Sequence, residues 1–217
     1  MRVDLALLWG SLPFLAQGAA VSALITAAAV ALGAAIGLAL ALGRSYGPAP
    51  VRWLCRGYTD CIRGTPLLVQ VYIIYFGLPS IGLQLPKGVS GVLALGLNSG
   101  AYLGEIFRAG IESISSGQTD AAKSLGMTHG QSLRLVILPQ ALRRVLPPLG
   151  NEVVTLVKDS SLVSVIGLSE LLYRGYLVAA RTYDYFTLFI GVAAVYFCLT
   201  FLVSQAFVSV ERRVRLP

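Results

Sequence analysis

Between Asp4 and Arg44 this chain carries no charged side chain, a run longer than the about 20 apolar residues that one helix needs to cross the hydrocarbon of a bilayer. Such a stretch has lipid as its natural solvent, and composition extends that conclusion to the whole molecule. Of its 217 residues 56% are hydrophobic and only 12% charged, which describes an integral membrane protein. The runs lack the polar/apolar alternation of membrane strands, which argues against a β-barrel. The expected class is therefore all-α integral membrane.

Charges punctuate the chain and mark about five spans. The first is expected over 18–43, led by a short interfacial helix over 1–17 that breaks at Pro13. Uncharged runs between Arg63 and Lys87 and between Lys87 and Glu105 give spans over 64–84 and 88–104. A fourth covers 146–168 although Glu152, Lys158 and Asp159 interrupt it, and a fifth covers 185–210. With no long repeat and no low-complexity tail, 18–213 is expected to form one domain. The first hydrophobic stretch is too long for a cleavable signal and reads as a retained helix.

Basic residues set the orientation. Arg44, Arg52, Arg56 and Arg63 follow span one, Arg108, Lys123, Arg134, Arg143 and Arg144 follow span three, and Arg212, Arg213 and Arg215 follow span five. The opposite side holds Arg2, Lys87, Arg174 and Arg181. The positive-inside rule then places the amino terminus outside and the carboxyl terminus in the cytoplasm. The net charge of +7 is topological, because its basic residues are divided among membrane-flanking loops and form no nucleic-acid-binding motif. Cys55, Cys61 and Cys198 show no metal-ligand spacing and no disulfide framework.

One polar segment is too long to be a simple turn. From Asp120 to Pro139 the chain reads D-A-A-K-S-L-G-M-T-H-G-Q-S-L-R-L-V-I-L-P. Asp120-Ala121-Ala122 suggests a short helix with small residues for close docking, Gly126 and Gly130 suggest breaks, and Leu133, Val136 and Ile137 suggest a second amphipathic helix reaching Pro139. A rigid helix pair can sit in a groove of a soluble partner and act as a lever. An ordinary surface loop is the plainer alternative. His129, the single histidine of the chain, has no partnered Cys, Asp or Ser at a recognisable spacing, and is expected to be solvated or to touch the partner rather than to catalyse.

Residues inside the membrane identify a candidate path. Ionisable groups at that depth face a cavity or one another. Glu152 and Asp159 lie seven residues apart, about two helical turns, and so share a face. Two carboxylates there suit an ammonium or guanidinium group, and Lys158 could answer a carboxylate. An internal or intersubunit ion pair would explain the same residues. Asn98 can both donate and accept, though it also lies beside Gly96, Gly100 and Gly104, a small-residue stripe for helix packing. Thr65 and Pro66 are placed at the start of span two, with Gln70 a further candidate for lining the path.

The segment resembles the E-A-A…G…I-x-L-P signature of permease subunits of ATP-binding-cassette importers, with Asp120 replacing Glu and Val136 replacing Ile. Further blocks resemble the polar amino-acid branch of that family, which serves histidine, glutamine and arginine. They are Arg63 to Gln70 (R-G-T-P-L-L-V-Q), Leu97 to Tyr102 (L-N-S-G-A-Y), Glu105 to Ile111 (E-I-F-R-A-G-I), Leu138 to Ala141, and Lys158 to Leu162 (K-D-S-S-L). The resemblance implies a type I importer permease fold in a bacterial cytoplasmic membrane. It also implies a second permease subunit, identical or related, separate ATPase subunits that bind ATP and Mg, and an extracytoplasmic binding protein that delivers a polar amino acid; the two acids near the path favour a basic one such as arginine, with glutamine or histidine next. The coupling region, 112–139, would contact the ATPase through Asp120, Ala121, Ala122, Gly126, Leu138 and Pro139, with Pro139 separating the coupling helix from the next element. No G-x-x-x-x-G-K-[ST] phosphate loop is present, so no ATPase activity, catalytic residue, metal site or cofactor is assigned to this chain. An ion-coupled secondary transporter and a membrane-bound enzyme are the alternatives. The odd span count and the lack of a nucleophile paired with a base argue against them.

Overall fold

A computed structural model describes residues 3–214, and among them the regular structure is helical throughout. The helices are α1 (Leu5–Tyr46), α2 (Ala49–Arg63), α3 (Leu67–Tyr72), α4 (Lys87–Glu112), α5 (Ser116–Ser124), α6 (His129–Ser132), α7 (Leu138–Asp159), α8 (Leu171–Thr182) and α9 (Tyr185–Val214). Each expected span overlaps one of these segments. By length and apolarity α1 and α9 suffice to cross a membrane alone. Two bent pairs meet the same criterion jointly: α2 with the 67–81 helical run, at 102°, and the 129–166 run with α8, at 52°. α4 has 26 residues and, at 1.5 Å per residue, is about 39 Å long.

The expected break at Pro13 does not occur, because α1 runs through it for 42 residues. Lipid makes a free backbone group costly, so a proline-interrupted helix is held together by its neighbours. Here Leu15 and Ala19 are buried against Leu171 and Val192 of α8 and α9. The start is pinned as well: Asp4 Oδ1 caps Leu7 N at 3.0 Å, while Asp4 N donates to Thr187 Oγ1 at 3.1 Å. Arg2 and Arg215, used in the charge argument, lie outside the described residues.

Packing centres on α1 and α4, which run parallel. The small-residue stripe on α4 meets a second one on α1. Leu32, Ile36 and Leu40 seat over Gly96, Gly100 and Gly104, while Gly33 and Gly37 face the α4 backbone. With no hydrophobic drive between helices in lipid, this close approach is itself the adhesive. Arg44 pairs with Glu105 at the end of this contact, and Arg108 bridges Glu105 at 2.7 Å and Glu112 at 2.5 Å. A core of Ile25, Ala29, Val71, Leu95, Leu156 and Val163 adds α3 and α7 to the pair.

Two prolines follow a common rule. Leu78-Pro79 and Leu138-Pro139 are each preceded by a five-residue π-helix, Ile73–Gly77 and Leu133–Ile137. In each, the leucine N–H bonds to the carbonyl five residues back, Ile73 or Leu133. The widened turn delivers proline to the first turn of the following helix, where its missing N–H is harmless. Pro139 therefore does not separate the coupling helix from the next element. The helical run continues into α7, which begins at Leu138, ahead of the expected span.

Candidate functional site

The polar candidates converge where α2 turns into α3. Arg63 ends α2, and Gly64-Thr65-Pro66 makes the turn, held by Gly64 N to Asp60 O at 2.9 Å. Tyr58 anchors α2 to α4 by donating to Leu97 O at 2.8 Å. The turn, α4 and α7 line an open cavity of about 440 Å³. Asn98 and Tyr102 enter it from α4, and Glu152, Thr155 and Asp159 enter from α7. The α7 residues lie at i, i+3 and i+7, a single helical stripe.

The cavity carries charge of both signs. Glu152 and Asp159 supply two carboxylates, and Arg63 supplies a guanidinium whose Cζ lies 5.0 Å from the centre of the Tyr102 ring. Stacking of this kind holds the cation in place. Among the described residues the ion pairs within 4.0 Å join Arg44, Arg56 and Arg108 to Glu105, Asp60 and Glu112, and neither Glu152 nor Asp159 takes part. The structure places Glu152 and Asp159 on one face, as their spacing predicts, and brings Asn98 of α4 to the same cavity. Gln70 is buried just behind them, with Asn98 Nδ2 donating to its Oε1 at 3.1 Å. Lys158 projects elsewhere: it lines a groove with Ser161, Tyr196 and Phe197 on the α9 side of α7. Adjacent residues on a helix point about 100° apart, so Lys158 and Asp159 do not share a face.

The 112–139 segment folds as a compact helical pair. Ser115 Oγ caps α5 through Gly117 N at 3.3 Å. Gly126, at φ +77°, ends it, with Met127 N reaching Ala122 O at 3.1 Å. That six-to-one bond with a left-handed glycine is a Schellman stop. A capping box between Thr128 and Gln131 starts the next helix at once. Gly130 lies inside α6 and is not a break. Ile114, Ile137 and Ala141 give the segment its own small core, Gln140 Nε2 donates to Gln118 Oε1 at 3.1 Å, and Arg144 holds Ser113 O. Asp120 and Ala121 are exposed and Ala122 is buried. Leu138 and Pro139 line an apolar groove with Leu38, Phe107 and Leu142. His129 is exposed and meets Tyr46 edge-on, with ring centres 6.1 Å apart.

Sequence reasoning did not assign Arg63, Tyr102 or Thr155 to the cavity. The i+3 step from Glu152 is a usable signal for Thr155 and the i+4 step from Asn98 is one for Tyr102, whereas Arg63 reaches the cavity from the end of α2. Glu170 was also missed. It is fully buried and accepts from Leu172 N at 2.8 Å, Tyr173 N at 2.7 Å, Ser22 Oγ at 3.3 Å and Tyr196 Oη at 2.7 Å.

A helical membrane subunit with an open polar cavity lined by the α2–α3 turn, α4 and α7, and a compact helix pair between α4 and α7, has the architecture of a type I importer permease. The chain belongs to the family of binding-protein-dependent transport system inner membrane components, which its residues 33–216 match. It is 37% identical over 216 residues to the arginine transport system permease protein ArtQ of Bacillus subtilis (strain 168), covering 99% of each chain. It is 36% identical over 218 residues to the glutamine transport system permease protein GlnP of Escherichia coli (strain K12), covering 100% of each. A solved amino acid ABC transporter with histidines matches at a TM-score of 0.92 and 41% identity, over 98% of this chain and 100% of that one. Membership of this family does not favour an ion-coupled secondary transporter.

Proposed function

We propose that this chain forms the membrane path of an ATP-driven amino-acid importer and that its cavity binds a basic amino acid. One observation carries the preference: two carboxylates and one guanidinium share a cavity of about 440 Å³. A basic amino acid presents the complementary set, one carboxylate and two cationic groups. Arg63 takes the carboxylate, while Glu152 and Asp159 take the cations by charge-assisted hydrogen bonds. Asn98 adds a neutral polar contact. The relatives that transport arginine and glutamine support the substrate class.

Transport is driven from the helix pair. In this reading Asp120, Ala121 and Ala122 on α5, stopped by Gly126, dock on a separate ATPase that binds ATP and Mg, and the 129–159 run carries the motion through Leu138 and Pro139 to Glu152 and Asp159. The charge pattern supports an amino terminus outside and a carboxyl terminus in the cytoplasm. A second permease subunit, identical or related, completes the path, and an extracytoplasmic binding protein delivers the substrate. The domain is assigned to 18–213.

Reconstitution tests the reading. The chain is co-expressed with its ATPase and partner permease, placed in liposomes, and assayed for accumulation of labelled arginine, lysine, histidine and glutamine with ATP on the ATPase side and ionophores present. Accumulation that needs ATP and tolerates ionophores supports an ATP-driven importer, and arginine or lysine leading the series supports the substrate preference. Uptake that follows an ion gradient and ignores ATP rejects the proposal.

A further inference from the structure

Gln70 lies behind the cavity wall, and its hydrogen bonds specify more than its own position. Its Nε2 donates to Ile62 O at 2.8 Å, Thr65 Oγ1 at 2.9 Å and Thr65 O at 3.2 Å. Turned over, the amide would set its oxygen against two carbonyls, acceptor to acceptor, so one orientation is selected. Oε1 consequently points at α4 and accepts from Asn98 Nδ2 at 3.1 Å. That bond orients the second amide in turn: the Asn98 nitrogen faces Gln70, and Asn98 Oδ1 is the end not spent on it.

From this relay we infer that Gln70 is a positioning residue that presents Asn98 Oδ1 to the cavity as an acceptor for an ammonium or guanidinium N–H of the substrate. The inference rests on the cavity being the amino-acid site. It also ties binding to the 102° bend between α2 and the 67–81 run, because the carbonyls that orient Gln70 belong to Ile62 and Thr65 at that bend. A residue that only stapled the bend would stabilise the chain without affecting which end of Asn98 meets the ligand.

The test is a double-mutant cycle on the assembled complex in detergent, read as the equilibrium Kd for labelled arginine. Gln70→Met and Asn98→Ala are each expected to raise Kd about tenfold, the scale of one charge-assisted hydrogen bond, and the double variant is expected to be no weaker than Asn98→Ala alone. Effects that multiply to about a hundredfold mean the two residues act independently, and the relay is wrong. Unchanged binding in Asn98→Ala removes both the relay and the placement of substrate at this wall. If Gln70→Met does not assemble, Asn98→Asp decides. It keeps the size and turns both ends of the side chain into acceptors, so an acceptor facing the cation no longer depends on the bond to Gln70; arginine binding retained or tightened supports the acceptor role, and weaker binding in an assembled complex overturns it.

Discussion

Tyr196 on α9 donates its hydroxyl to Glu170 Oε2 at 2.7 Å, and the same carboxylate caps α8 through Leu172 N and Tyr173 N. With Ser22 on α1 as a further donor, one fully buried side chain joins three helices. Removing it strands several donors at once, each costing about 1–3 kcal/mol when buried without a partner. Glu170→Ala is expected to lower the thermal unfolding midpoint of the complex far more than Arg181→Ala at the exposed end of α8. Equal midpoints would show that the network contributes nothing.

The α1–α4 contact leaves no room for even one methyl group. A Cβ on Gly37 would lie 2.8 Å from Gly104 N, whereas one on Gly88 would have nothing within 4 Å. Overpacking of this kind costs about 1–3 kcal/mol. Gly37→Ala should therefore destabilise the chain and Gly88→Ala should not, as read by fluorescence-detected thermal unfolding in detergent.

Glu152 separates substrates by charge. Glu152→Gln keeps the shape and removes one carboxylate from the cavity, so loss of a charge-assisted bond of about 1.5–3 kcal/mol should raise KM for arginine at least tenfold. KM for glutamine should change much less. An equal loss for both substrates, with normal assembly, would place Glu152 in a structural role.

Gly126 tests the lever. Its φ of +77° is a left-handed conformation that a side chain makes about 1–2 kcal/mol less favourable. Gly126→Val should leave the bundle assembled and reduce substrate-stimulated ATP hydrolysis by the partner. Full stimulation in that variant would mean that the stop after α5 is not part of the coupling surface.

Legibility followed the kind of interaction. Glu152 and Asp159 were readable as a pair because helical periodicity places them on one face before any packing is known. Lys158 was misgrouped with them because proximity in sequence concealed the 100° step between neighbours on a helix. Arg63 and Tyr102 come together where α2 packs against α4, the pair that Tyr58 joins to Leu97 O, and a pairing between helices far apart in sequence has no local signature. Local propensity predicts breaks at Pro13 and Pro139, and neither interrupts its helical run: α1 continues through Pro13 while packing on α8 and α9, and a π-turn delivers Pro139 to the first turn of α7.

The sequence by itself determined that this is a membrane protein, its helical class and which apolar stretches form its long helices. All of these follow from hydrophobicity and charge, which act residue by residue along the chain. Tertiary structure alone decided which polar groups share a cavity, which way the Gln70 and Asn98 amides point, and why Glu170 is buried. Those depend on the angle at the α2–α3 bend and on the way α1, α8 and α9 close around Glu170, arrangements set by contacts between residues far apart in the chain.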